Sequence, residues 1–348
     1  MEKGVDPEAR TRSGVGDSRK NPAWPRRCQS PQEGQLRDRV PQSRISGRIA
    51  IDAPAKINLF LDVTGRRADG YHLLESLVVF VAVGDRLTVE PADTLTLSIE
   101  GAFAGALSDL GTNSGTGADI GSDNLILRAA RALRDAYSID AGARMKLEKN
   151  LPVSSGIGGG STDAAAALRV LCALWEVEAG PTRLARIALS LGADIPVCLN
   201  ARPAMMSGIG EIVNDVAAPP PCGVVLVNAR EGVSTPAVFA ARKGAFSNTA
   251  GWDEPATFER FVDVLRMHNN DLVEAALSVS PVIGEVVHAL AASDDCALAR
   301  LSGSGGTCFG IYRTAAQAAA AMQIGANHPE WWCVATAIRD GAPEIVWC

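Results

Sequence analysis

Along residues 49–63 apolar side chains recur at every second position, from Ile49, Ile51 and Ala53 to Ile57, Leu59 and Leu61. That period of two predicts a strand. The polar stretch 64–70, ending in Asp69-Gly70, predicts a turn and so a hairpin or meander. Further strands are predicted over 77–83, 86–90 and 95–99, then a Gly/Ser/Thr/Asn-rich mobile loop over 101–122. The spacing of Leu125, Leu127, Ala130 and Leu133 predicts a helix over 124–137, with Ser122 or Asp123 placed to cap it. Residues 145–151 read as a short strand. Residues 164–175 are apolar almost all round and predict a buried central helix, and 181–191 another helix stopped by Gly192. After 206 come a strand over 223–228, helices near 255–266, 270–278 and 281–292, and strands near 297–301 and 307–312. No regular βαβ alternation and no internal repeat emerges, so the pattern predicts an α+β fold.

Composition narrows the class. With 348 residues, 47% hydrophobic and 21% charged, the chain reads as an ordinary globular protein of one large or two modest domains. Charged residues, Gly or Pro interrupt every apolar run before membrane-spanning length. Residues 1–48 hold 11 basic against 6 acidic residues and lack a hydrophobic period, which predicts a disordered basic tail. The remaining 300 residues hold 22 basic against 33 acidic, which argues against broad nucleic-acid binding. Eight cysteines without a CxxC pair and four histidines without ligand spacing fit buried reduced thiols and a cytoplasmic protein rather than a disulfide or zinc framework.

The segment Pro152-Val153-Ser154-Ser155-Gly156-Ile157-Gly158-Gly159-Gly160-Ser161-Thr162-Asp163 places four glycines in five positions just before a predicted helix. Glycine lets backbone N–H groups come close to a ligand, and a helix N-terminus adds unpaired donors, so the segment predicts an anion cradle. A tight strand-to-helix turn is the plainer alternative. The segment lacks the GK[ST] ending of a Walker loop, and Ser161 breaks the GxGxxG dinucleotide pattern. This string resembles the phosphate-binding loop of the GHMP kinases, the superfamily of galactokinase, homoserine kinase and mevalonate kinase. Ala53-Pro54-Ala55-Lys56-Ile57-Asn58-Leu59 resembles the first motif of that family, and 301–310, LSGSGGTCFG, its glycine-rich third motif, all in the family's order. The triple glycine, 65–72 (GRRADGYH) and 192–197 (GADIPV) are similar to the branch of the superfamily that serves non-mevalonate isoprenoid synthesis.

The resemblance implies an α+β GHMP kinase fold, with a ribosomal protein S5-like N-terminal ATP-binding domain over 49–204 and a ferredoxin-like C-terminal domain over 205–348. It implies ATP with Mg²⁺, and as acceptor a cytidine diphosphate sugar alcohol, in a monomer or weak homodimer. By the same resemblance Asp194 is the base and Lys56 its ammonium partner, although a helix cap and a solvated strand residue are the alternatives for the two positions. Pro152, Ser155, Gly156, Gly158, Gly159, Gly160, Ser161 and Thr162 would hold the phosphates, and Asn124 and Lys149 would lie near the adenine. Ser161 and Thr162 could cap the helix, contact Mg²⁺, or do both. Asp163, placed in the first helical turn, could bind Mg²⁺ or simply stabilise the helix. Asn58, Tyr71 and His72 would meet the acceptor, the last two at its cytosine. The segment 230–236 would complete the acceptor pocket, and Asn270-Asp271-Leu272 would cap a helix.

Overall fold

The alternation of the first strand survives in the structure but changes face part-way. In β1 (Ile49–Asn58), Ile49, Ile51 and Ala53 pack into one apolar cluster, whereas Ala55 and Ile57 pack into another. The switch coincides with an irregularity in the pairing of β1 with β3 (His72–Ala92), between Pro54 and Lys56. There β3 sets three residues, 81–83, opposite the single Ala55, and such a bulge re-aims the side chains beyond it. Lys56 and Asn58 therefore sit opposite Phe80 and Val78, whose side chains belong to the same cluster as Ile49 and Ile51.

The computed structural model describes residues 47–109, 123–248 and 251–348, all within one compact unit, Arg44–Cys348. The expected tail lies outside the described residues except for positions 47–48. Arg48 is tied down: its carbonyl accepts the Cys348 N–H at 2.8 Å and its guanidinium bonds Glu90 at 2.7 Å. Among the described residues one sheet has eight strands. Its central path runs β12 (Ile345–Trp347), β1, β3, β5 (Gly142–Glu148) and β4 (Leu95–Glu100). β2 (Asp62–Arg66) and β6 (Ala204–Gly208) also pair with β3, and β7 (Ile212–Asp215) pairs with β6. Only the β4–β5 pairing is parallel among the described ladders. Helices α2 (Leu125–Tyr137), α3 (Gly159–Leu174), α4 (Pro181–Leu191) and α5 (Ile195–Asn200) cover one face of it through the first cluster. The second sheet, β11 (Trp332–Ala337), β8 (Gly223–Asn228), β10 (Thr307–Tyr312) and β9 (Leu298–Leu301), is wholly antiparallel. It carries α6 (Thr235–Ala241), α7 (Phe258–Met267), α8 (Val273–Val279), α9 (Val282–Ala291), α10 (Ala315–Ala320) and α11 (Gln323–Asn327). The cluster containing Ile57, Phe60, Val79, Leu226 and Phe309 joins strands of both sheets.

Several expectations change. The strands predicted over 77–83 and 86–90 are one 21-residue strand, because Gly84 lets β3 pass hard against the Ala53 backbone instead of turning. The expected loop 101–122 opens with a short helix, α1 (Ala104–Asp109), and its remainder lies outside the described residues. The α2 cap is Asn124, whose side chain accepts from the Ile126 N–H, rather than Ser122 or Asp123. α3 begins five residues before Ala164. The expected boundary after 204 falls at the first residue of β6, and β6, β7 and β12 all belong to the first sheet.

The junction of β1 and β2 is fixed by Phe60, which is fully buried and stacks on His268 with ring centroids 3.8 Å apart. His268 in turn meets Asp62 through Nδ1 at 2.9 Å. Phe60→Ala should cost about 3–5 kcal/mol of stability through the cavity it leaves, read as a lowered denaturant midpoint.

Candidate active site

Lys56 is 3% exposed, and a buried ammonium needs partners. It finds Asp194 Oδ2 at 2.9 Å and Asn58 Oδ1 at 3.2 Å. Asp194 stands at the start of α5 but makes no side-chain bond to the helix, so the capping alternative fails and its half-exposed carboxylate answers to Lys56. Behind it, Cys198 Sγ donates to the Asp194 carbonyl at 3.1 Å. Burial pushes that thiol's pKa up, so it stays neutral beside the pair.

The chain leaves β5 at Glu148 and passes through Pro152 and Ser155 into α3. Ser155 Oγ donates to the Pro152 carbonyl at 2.7 Å, which curls the loop on itself. Gly156 (φ 74°) and Gly158 (φ 67°) take left-handed backbone that side-chain-bearing residues rarely adopt. Gly158 caps α3 without a side chain, and the Thr162 N–H already bonds the Gly158 carbonyl at 2.8 Å. The earlier amides of Gly159, Gly160 and Ser161 lie in the first turn, whose donors have no partner within the helix. Thr162 departs from expectation: its Oγ1 is buried and donates to the Gly159 carbonyl at 2.9 Å, so it does not face a ligand.

Lys149 is buried and reaches Asp85 Oδ2 at 2.5 Å and Asp163 Oδ2 at 2.8 Å. Burial disfavours its charge, but the two carboxylates outweigh that and raise its pKa. Asp85 Oδ1 also accepts the Asn150 and Leu151 N–H groups at 2.6 and 2.8 Å, which fixes the entry to the glycine loop. Asp163 is in the second turn of α3 rather than the first. Burial pushes its carboxyl up to about 7 against the pull of Lys149, and its Oδ1 is buried without a partner.

These groups share one cavity of about 920 Å³. Lys56, Asn58, Tyr71, His72, Asn124, Lys149, Pro152, Ser155, Gly156, Gly158, Gly159, Gly160, Ser161 and Asp194 all line it, and Thr162 does not. Asn58 is held from behind, its Nδ2 donating to Ser76 Oγ at 2.8 Å. Tyr71 is 59% exposed at the rim. His72 stacks on Phe239 with centroids 5.2 Å apart, and burial, then Arg66 and Arg242, lower its pKa and favour neutral imidazole. Phe239 was not legible as a site residue. Its signal was Ser234-Thr235-Pro236, a helix start in which Ser234 accepts from the Ala237 N–H. From 230–236, Thr235 and Pro236 line the cavity. Within Asn270-Asp271-Leu272 the N-cap of α8 is Leu272, which makes no side-chain cap bond; Asn270 Oδ1 accepts the Leu272 N–H at 3.0 Å, and its Nδ2 binds the loop of the third glycine motif.

A Cβ on Gly156 would run into the Gly305 carbonyl, and its φ resists any side chain. Gly156→Ala should therefore raise the KM for ATP about tenfold or more, the equivalent of roughly 1–3 kcal/mol of backbone strain, with a smaller effect on the acceptor. Initial rates at varied nucleotide concentration check this.

The N-terminal domain of GHMP kinases matches residues 124–202 and the C-terminal domain of GHMP kinases residues 257–328. The 4-diphosphocytidyl-2-C-methyl-D-erythritol kinase of Paramagnetospirillum magneticum is 47% identical over 285 residues, 81% of this chain and 96% of that protein. The enzyme of the same name from Parvibaculum lavamentivorans is 50% identical over 83% of this chain and 97% of its own length. Among solved structures, a 4-(cytidine 5'-diphospho)-2C-methyl-D-erythritol kinase superposes with a TM-score of 0.66 at 31% identity, covering 84% of this chain and 100% of that one. A homoserine kinase from Cytophaga hutchinsonii, at 14% identity and TM-score 0.65, shares the fold. At 47% and 50% identity to those two relatives, over 81% and 83% of its length, the chain belongs to the GHMP kinases and, within them, to the 4-diphosphocytidyl-2-C-methyl-D-erythritol kinase family.

Proposed function

We propose that the protein transfers the γ-phosphoryl group of ATP to the 2-hydroxyl of 4-diphosphocytidyl-2-C-methyl-D-erythritol, a step of non-mevalonate isoprenoid precursor synthesis. The observation that carries this reading is the Lys56–Asp194 ion pair, 2.9 Å long, on the wall of the cavity that also holds the glycine cradle. Asp194 accepts the hydroxyl proton as that oxygen attacks the γ-phosphorus, and ADP leaves. Lys56 holds the carboxylate in place and offsets the negative charge that develops between the two oxygens. The amides of Gly159, Gly160 and Ser161 and the α3 dipole receive the phosphates. Asn124, its Oδ1 engaged by α2, and Lys149 flank the adenine. Tyr71, His72 and Phe239 form an aromatic site for the cytosine, where a neutral His72 retains both an acceptor and a donor nitrogen.

Mg²⁺ fits the same wall. When bound with ATP it neutralises the phosphate oxygens, and the chain oxygens suited to hold it, directly or through water, are Ser161 Oγ and the unpartnered Asp163 Oδ1. The same reading divides the chain into an ATP-binding domain over 49–204 and a C-terminal domain over 205–348, with β6, β7 and β12 handed back to the first sheet. It also makes the protein a cytoplasmic monomer or weak homodimer. No helix among the described residues is long and apolar enough to cross a membrane.

Incubation with Mg-ATP and a panel of cytidine diphosphate alcohols, homoserine and mevalonate tests the assignment by mass spectrometry. Phosphorylation of the cytidine diphosphate methylerythritol alone is expected, and turnover confined to another acceptor would sink it. Asp194→Asn should lower kcat by about 10² to 10⁴ in a protein that still folds but whose unfolding midpoint falls, because the buried Lys56 ammonium loses its counter-charge. Phe239→Ala should raise the acceptor KM by about tenfold, for roughly 1 kcal/mol or more of lost stacking and burial, and leave the KM for ATP within about twofold.

A further inference from the structure

The third glycine motif meets the phosphate loop backbone to backbone. A Cβ on Gly306 would come within 2.9 Å of Ser155 Cα, and one on Gly303 within 3.2 Å of the Gly156 carbonyl. The Ser302 side chain, fully buried, lies between the two loops and β1. Its Oγ accepts the Asn58 N–H at 3.1 Å and donates to the Gly156 carbonyl at 3.3 Å. Gly303 and Ser304 line the cavity, but Ser302 does not.

Ser302 is itself held firmly. Its N–H bonds the Thr307 carbonyl at 3.0 Å, and its carbonyl accepts from the Gly305 N–H at 3.3 Å. Asn270 Nδ2 clamps the residues on either side, donating to the Leu301 carbonyl at 3.0 Å and the Gly303 carbonyl at 2.7 Å. The phosphate loop has a second tie to β1, the Lys56 N–H bonding the Ile157 carbonyl at 2.9 Å. Two ties fix an orientation where one would leave a pivot. Asn58, at one of them, bonds Lys56 through its side chain, and Lys56 holds Asp194.

We propose that the Ser302 hydroxyl is a positioning group for phosphoryl transfer, which sets the phosphate loop at a fixed distance and angle from the strand that carries Lys56 and, through it, Asp194. The proposal rests on the kinase reading above and adds a residue that touches neither substrate. In-line transfer depends on sub-ångström placement, and a 1 Å error can cost about 10²-fold in rate. Loss of the hydroxyl should therefore act on kcat and spare binding.

The test is Ser302→Ala and Ser302→Cys against the unaltered protein, with steady-state kinetics, thermal unfolding and amide hydrogen exchange on each. Ser302→Ala should lower kcat about tenfold or more, with both KM values within about threefold. Ser302→Cys, which keeps a weak donor, should fall between. In Ser302→Ala the amides of Asn58 and Lys56 should exchange faster while those of β8 and β10 do not change. A folded Ser302→Ala protein with unaltered kcat, or one whose KM values rise as kcat falls, would overturn the positioning role. So would unchanged exchange at Asn58. If the unaltered protein fails to phosphorylate the acceptor while the Asn58 amide still loses protection, the functional reading falls and the link between the loops stands.

Discussion

An ammonium taken out of water must be matched by charge and hydrogen bonds, or it is not tolerated. Lys56 imposes that condition on the first sheet. Its partner lies 138 residues away in sequence, at the start of α5, so α3, α4 and α5 must pack on the sheet before the charge is met. The irregularity at Pro54–Lys56 is what makes this possible. With unbroken alternation Lys56 would face the same side as Pro54 and Asp52, away from the helices. The first motif thus works as a strand that changes face, delivering an apolar run to the core and a cation to the site.

The same economy governs the nucleotide side. Lys149 reaches the cavity wall with its ammonium already engaged by Asp85 and Asp163. The three groups brace β3, the end of β5 and the second turn of α3 against one another. They fix the take-off of the glycine loop, while the first amides of α3 are left without partners inside the helix. Chemistry at the cavity surface therefore depends on charged groups largely withdrawn from it.

Much of this was legible in the sequence, and the failures have physical reasons. Lys56 and Asp194 were named through the family resemblance, and their apolar neighbours weighed against an idle charge at either position. The glycine loop was legible because four glycines in five positions exceed the needs of a turn. Thr162 was misjudged because a hydroxyl in an early helical turn can bond back to its own helix, and sequence gives no rotamer. The start of α3 was set late because glycines conceal a helix from propensity. β3 was split because Gly84 reads as punctuation, when it allows close passage against Ala53. Phe239 escaped because an aromatic on a seven-residue helix looks the same whether it packs in a core or lines a cavity.

The last strand in chain order carries a further consequence. β12 pairs Ile345 with Ile51 and Trp347 with Ile49, partners 294 and 298 residues apart. The outer edge of β1 is covered over Ile49–Ile51 by residues made almost the whole described chain later. Until they emerge from the ribosome, β1 presents an open row of peptide groups to any other extended chain nearby. Closure over so long a loop is also slow. The nascent protein thus passes a period in which most of the first sheet exists but this border is unsealed.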